Sequence, residues 1–166
     1  MARPRTIPDD RIFAAVQDLL TKGGDRAVSF SSVASSTGLA APTLVQRYGT
    51  RDGMVQAARL AAWATLEAAT AEAIAATEDK GPQGLLKALG SVDAASLASD
   101  LRDADLAQRA AAWRATVESA LALRLGTGPK AQESAALLFA AWQGQQLWSR
   151  VGEPQFRIKD AVKRFT

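Results

Sequence analysis

Residues 29–48 read SFSSVASSTGLAAPTLVQRY, and the fold turns on this stretch. Ser29 is a good N-cap, and Val33 and Ala34 predict a short helix that runs to Thr37. Gly38 supplies the left-handed turn residue. After Leu39-Ala40 a second short helix carries Pro42 in its first turn, where the missing N–H costs nothing. It runs through Leu44 and Val45 to about Tyr48, and Gly49 ends it. Small Ala34 stands four residues before Gly38, and apolar Leu44 six after it. A helix-turn-helix needs these types: a small residue where the helices cross, a glycine for positive φ, and a buried aliphatic anchoring the second helix. By itself the pattern fits any tight αα-corner equally well.

Helical patterns continue on both sides. After Pro8, a stripe of Ile12, Phe13, Val16, Leu19 and Leu20 predicts a first helix, with Asp9 and Asp10 favouring its positive end and Gly23-Gly24 stopping it. Thr50 caps a long helix from about Arg51 to Glu78, whose apolar stripe reads Val55, Ala58, Ala62, Leu66, Ala69 and Ala73. Beyond Gly81-Pro82, short helices are expected near 83–89 and 94–98. A long helix follows with Leu106, Ala110, Trp113, Val117, Leu121 and Leu125 on one face. The Gly126–Pro129 loop leads into a helix from about Lys130 to Val151, apolar around most of its first half, which predicts burial on more than one side. An amphipathic segment, Phe156 to Phe165, comes last. The chain holds 36 alanines, the best helix-forming residue, and no strong strand pattern. The fold class is all-α.

Composition narrows the chemistry. Without histidine or cysteine, the 166-residue chain has no Cys/His zinc site, thiol nucleophile, disulfide or imidazole base. No paired-carboxylate, Ser/Lys or phosphate-loop constellation stands at usable spacing, and Asp100, Asp103 and Asp105 cluster where helix capping explains them. No enzyme activity, cofactor or metal is expected. Residues 1–59 carry eight basic and five acidic groups, residues 60–149 seven and ten, and residues 150–166 five and two. A basic N-terminal third before an acidic body is the asymmetry of a nucleic-acid-binding module carried by a non-binding one. The polar N-terminus and the charges within Ala57–Thr77 argue against a leader or a bilayer span, so a cytoplasmic protein without a membrane partner is expected.

Ala14-Ala15, Leu19-Leu20, Gly24, Ser29, Val33-Ala34, Gly38-Leu39, Thr43-Leu44, Tyr48, Arg51-Asp52 and Met54-Val55 together closely resemble the N-terminal domain of the TetR/AcrR family of transcriptional regulators, over about residues 7–58. The resemblance implies a helix-turn-helix DNA-binding domain at 1–52, joined by a long helix to a helical ligand-binding and dimerisation domain at 53–166. It implies that the helix from Ala41 to Tyr48 enters the major groove of double-stranded DNA. Ser29, at the start of the second helix, would then hold a phosphate, and Thr43 falls at a backbone- or base-contacting position. Gln46 and Arg47 lie where side chains can face the groove, with Gln suited to adenine and Arg to guanine. Arg51, where the family usually has Lys, would reach a phosphate from a helix N-terminus, and Arg3 and Arg5 could follow the backbone or minor groove as an arm. Val45 departs from the family's frequent Tyr, Tyr48 from its usual Phe, and Ala40-Ala41 from its polar cap.

The resemblance further implies a homodimer, since two reading heads about 34–36 Å apart span successive major grooves of a near-palindromic site. Phe139, Ala140, Gly144 and Leu147 are candidates for its interface. Gly144 costs on the order of 1 kcal/mol in mid-helix, and close approach across a two-fold axis is one reason to keep it. A small apolar or aromatic ligand would be lined by Trp63, Trp113, Val117 and Trp142, with Glu67 and Gln143 supplying polarity. The same tryptophans equally serve as filler in an Ala-rich core. Three functions follow: a ligand-released repressor, a regulator of the same fold without an effector, and a helical interaction module.

Overall fold

The computed structural model describes residues 7–149, 151–153 and 156–165, and these contain helices and turns but no strand. The chain divides into two compact units, Met1–Thr65 and Leu66–Thr166, so the N-terminal unit extends past the expected 1–52 and takes in the first half of the long helix.

The first unit contains α1 (Asp9–Gly23), a 3-10 turn (Asp25–Ala27), α2 (Phe30–Thr37), α3 (Ala41–Tyr48) and the start of α4 (Arg51–Ala76). Its core is Ile12, Val16, Val28, Val33, Leu44, Met54, Val55 and Ala58, all buried, with Phe13, Leu19, Leu20, Ala34 and Leu39 packed around them. The stripe read for the first helix therefore faces inward. The 3-10 turn and the burial of Val28 were not foreseen, because neither belongs to a periodic segment. Ser29 caps α2 through a reciprocal box: its hydroxyl accepts from the Ser32 amide at 3.0 Å, and the Ser32 hydroxyl accepts from the Ser29 amide at 2.9 Å. Gly38 takes φ 76° and ψ 11°, a left-handed conformation that a Cβ would strain. Thr50 caps α4, its hydroxyl accepting from the Gly53 amide at 3.0 Å.

The second unit contains the remainder of α4 with α5 (Pro82–Leu89), α6 (Ala94–Asp100), α7 (Ala104–Leu125), α8 (Pro129–Trp148) and α9 (Ile158–Phe165). The inward face of α7 is the expected one, Leu106, Ala110, Trp113, Val117 and Leu121, and Asp103 caps its start by accepting from the Asp105 and Leu106 amides. It packs on Ala131, Ala135, Leu138, Phe139 and Trp142 of α8. The Trp113–Phe139 pair is edge-on at 5.7 Å, and Phe139–Trp142 is tilted at 5.9 Å.

Along α4 the buried stripe differs from the expected one. Ala62 and Ala69 are exposed, while Trp63, Thr70 and Thr77 are buried. A threonine can line a core when its hydroxyl bonds back to the preceding turn. Thr70 donates to Leu66 O at 2.7 Å and accepts from Trp113 Nε1 at 2.8 Å, and Thr77 donates to Ala73 O at 2.6 Å. Arg124 of α7 closes the end of α4 by donating to the Ile74 and Thr77 carbonyls at 3.0 Å each. A cation against the last carbonyls of a helix complements its negative end. Among the described residues, no helix is long and apolar enough to cross a membrane.

The core of the first unit is tested within α3. Leu44→Ala should cost about 2–5 kcal/mol of stability in urea unfolding followed by circular dichroism. Val45→Ala, next to it but exposed, should stay within about 0.5 kcal/mol. Equal losses at the two positions would contradict this packing.

Candidate nucleic-acid interface

With Leu44 turned inward, only part of the remaining α3 surface faces solvent. Pro42, Val45, Gln46 and Arg47 are exposed, while Ala41, Thr43 and Tyr48 are partly covered. Ser29, Thr43, Gln46 and Arg47 thus belong to one unit and lie on two helices joined by the Gly38 turn. Ala40 gives α3 no side-chain cap, as its apolar side chain predicts. Arg3 and Arg5 lie outside the described residues.

The cations are more tightly held than their sequence positions imply. Arg47 donates through Nη1 to the Ile7 carbonyl at 2.8 Å and reaches Asp9 Oδ1 at 3.4 Å. Tyr48 donates its hydroxyl to the same Asp9 oxygen at 2.6 Å, and its ring packs on Phe13 at 6.0 Å. Burial, then the hydrogen bond to the Asp9 carboxylate, pushes the Tyr48 phenol up to about 12. It is therefore a donor at neutral pH.

Arg51 binds inside the unit. Nε donates to the Val28 carbonyl at 3.0 Å, Nη1 to Asp52 Oδ1 at 2.7 Å, and Nη2 to both the carbonyl and the carboxylate of Asp25, the carboxylate at 2.7 Å. The hydrogen bonds to Asp52 and then to Asp25 push its pKa up. The guanidinium fork therefore ties the start of α4 to the 3-10 turn and to the chain entering α2. Any phosphate contact by Arg51 has to share a group already engaged at all three nitrogens. Sequence reading missed the roles of Asp9, which reads as an ordinary first-turn acid, and of Asp25, which lies in no periodic segment, because their partners lie 26 to 39 residues away.

The residues expected to line a ligand site are placed differently. Trp113, Val117 and Trp142 are buried in the α7–α8 core, and Trp63, a residue of the first unit outside its core cluster, is also buried. Glu67 forms a two-point pair with Arg109, at 3.0 and 2.6 Å. Gln143 buries its Nε2 with no hydrogen-bond partner among the described residues. Two open grooves of about 540 and 490 Å³ occur in the second unit, and neither is lined by any of these six residues. Of the expected interface residues, Phe139 is only 7% exposed, because its ring fills the space between Trp113 and Trp142. Ala140 and Leu147 are exposed and Gly144 is partly so.

No protein-family model and no curated protein matches the sequence. Solved structures do match over nearly the whole chain. A transcriptional regulator from Rhodococcus sp. Rha1 is 22% identical with a TM-score of 0.69, covering 96% of this chain and 94% of its own. The multidrug binding protein EbrR, complexed with malachite green, is 20% identical with a TM-score of 0.65, covering 98% and 96%. A TetR-like transcriptional regulator from Rhodococcus sp. RHA1 is 16% identical with a TM-score of 0.63, covering 99% and 94%. The chain has the fold of the TetR-family transcriptional regulators. In this TetR-like fold the helix-turn-helix is α2, Gly38 and α3, where the sequence placed it.

Arg51 tests whether the unit is held as described. Arg51→Lys keeps the charge but cannot span the Val28 and Asp25 carbonyls together. It should lower thermal stability by about 1–2 kcal/mol. Unchanged stability would contradict the internal role of the guanidinium.

Proposed function

We propose that the chain is a homodimeric DNA-binding transcriptional regulator, a cytoplasmic repressor that reads a near-palindromic operator in the major groove through α3. The observation that carries this reading is the helix-turn-helix itself. Gly38 in the left-handed conformation and buried Leu44 turn the Thr43 and Gln46 positions outward, with Arg47 at the edge of that surface, on a helix that follows a capped, serine-rich α2. The excess of basic over acidic groups in residues 1–59 supports the same surface.

Dimerisation is supported by the outer face of α8. Leu137 and Leu147 are 51% and 55% exposed, Trp148 is 66% exposed, and Ala140 and partly covered Gly144 lie between them at helical spacing. An apolar helix face of this kind normally finds a partner. Phe139 supports that face from behind and does not itself reach across it. A two-fold symmetric site requires two copies of α3, one for each half-site, and a dimer supplies them.

Release by a small apolar or aromatic molecule in the helical body completes the proposal. Support comes from EbrR, a multidrug binding protein of the same fold, and from Gln143 Nε2, which is buried with no hydrogen-bond partner among the described residues. A ligand that favours the state with lower DNA affinity weakens DNA binding reciprocally. The second reading, a regulator of this fold without an effector, is favoured by the mutual packing of Trp113, Phe139 and Trp142.

Two measurements check the proposal. Gln46→Ala should relax base preference at one position of each half-site, by about 1–3 kcal/mol in selection from a randomised duplex pool. Binding with no sequence preference in either protein would contradict groove reading by α3. Leu147→Glu should convert a dimer into a monomer in sedimentation velocity at micromolar concentration, whereas an unchanged dimer would move the interface elsewhere.

A further inference from the structure

Asp9 opens α1, and one of its carboxylate oxygens faces two donors at the far end of α3. The Tyr48 hydroxyl donates to it at 2.6 Å, and Arg47 Nη1, which donates to the Ile7 carbonyl at 2.8 Å, lies 3.4 Å away. A phenol O–H and a guanidinium converging on one anionic oxygen is the donor set with which proteins hold a phosphate. The contact lies at the surface, the Asp9 side chain being 58% exposed. The charged groups acting on the Tyr48 hydroxyl are Asp9 and Arg47. Neighbouring Asp10 makes neither contact, although it also stands in the first turn of α1, where a negative charge favours the helix.

We propose that Asp9 is a built-in competitor for a DNA phosphate: its carboxylate occupies the Tyr48 hydroxyl and, together with the Ile7 carbonyl, holds Arg47 in the free protein, and duplex DNA must displace it to reach them. The proposal rests on the reading that α3 meets DNA. It makes Asp9 a residue that sets affinity. Donors committed to an internal acceptor reduce apparent affinity by the fraction of molecules in which they are free. A surface ion pair is weak, so the carboxylate tunes binding and does not block it. A purely structural Asp9 has the opposite signature, since its loss would loosen α3 and weaken DNA binding.

The chain has one tyrosine, so phenolate absorbance reports Tyr48 alone in the intact protein. Asp9→Asn should move the Tyr48 midpoint down from about 12 towards the ordinary 10.0, and Asp10→Asn should leave it in place. Binding is then measured on a short mixed-sequence duplex over a series of salt concentrations. Asp9→Asn should bind several-fold more tightly than Asp10→Asn, which loses the same charge, and its salt slope should steepen by about one unit. In an Arg47→Gln background the gain should shrink. If the wild type binds duplex and Asp9→Asn binds no more tightly than Asp10→Asn, or if the Tyr48 midpoint does not move, the competitor role is overturned while α3 as the DNA-facing helix survives. If no variant binds duplex at any salt, both fall together.

Discussion

Burial of Leu44 with Ile12, Val16, Val33 and Met54 determines how α3 is turned. A helix of eight residues has too few turns to be stable alone in water, so α3 exists because its one fully buried side chain is inserted into the core of the first unit. That insertion is possible only because Gly38 reverses the chain at positive φ, after α2 has been started by the Ser29–Ser32 box. Once Leu44 points inward, helical geometry sends Val45 and Gln46 outward, while Arg47, three residues on, stays towards the Leu44 side and rests on Ile7 and Asp9. The DNA-facing side of the proposed regulator is therefore a by-product of core packing.

Electrostatics acts on this frame in an unexpected way. Arg47 and Arg51 of the N-terminal unit are not free cations. Arg51 is spread over Val28, Asp25 and Asp52, and Arg47 rests on Ile7 and Asp9. Acidic residues close to the proposed interface thus hold the cations in place as well as lowering the net charge. The same economy appears in the second unit, where Arg124 finishes α4 and Arg109 pairs with Glu67. Guanidinium groups reach several carbonyls at once, which an Ala-rich sequence with few polar side chains needs for its helix ends and corners.

Much of this was legible in the sequence because helical periodicity is local. The Ser29 cap, the Gly38 corner, the inward stripes of α1 and α7 and the Thr50 cap all depend on residues within a turn or two of each other. Four features were not legible in this way. Val28 is buried in a segment with no period, and threonines replaced alanines on the buried face of α4 because Thr70 and Thr77 satisfy their hydroxyls internally. Phe139, read as an outward residue of α8, fills the gap between Trp113 and Trp142. The Asp9 and Asp25 contacts depend on tertiary proximity alone. Helix periodicity places a side chain on a face, but not against a partner on another helix.

Backbone amide shifts of the intact chain, followed during addition of a short mixed-sequence duplex, address the central claim directly. The account predicts that the largest changes fall at Ser29 and its neighbours at the start of α2, and along Thr43–Tyr48 of α3. Amides of the α7–α8 hairpin should move far less. Changes concentrated in residues 104–148, or no changes at low salt, would contradict α3 as the surface that meets DNA.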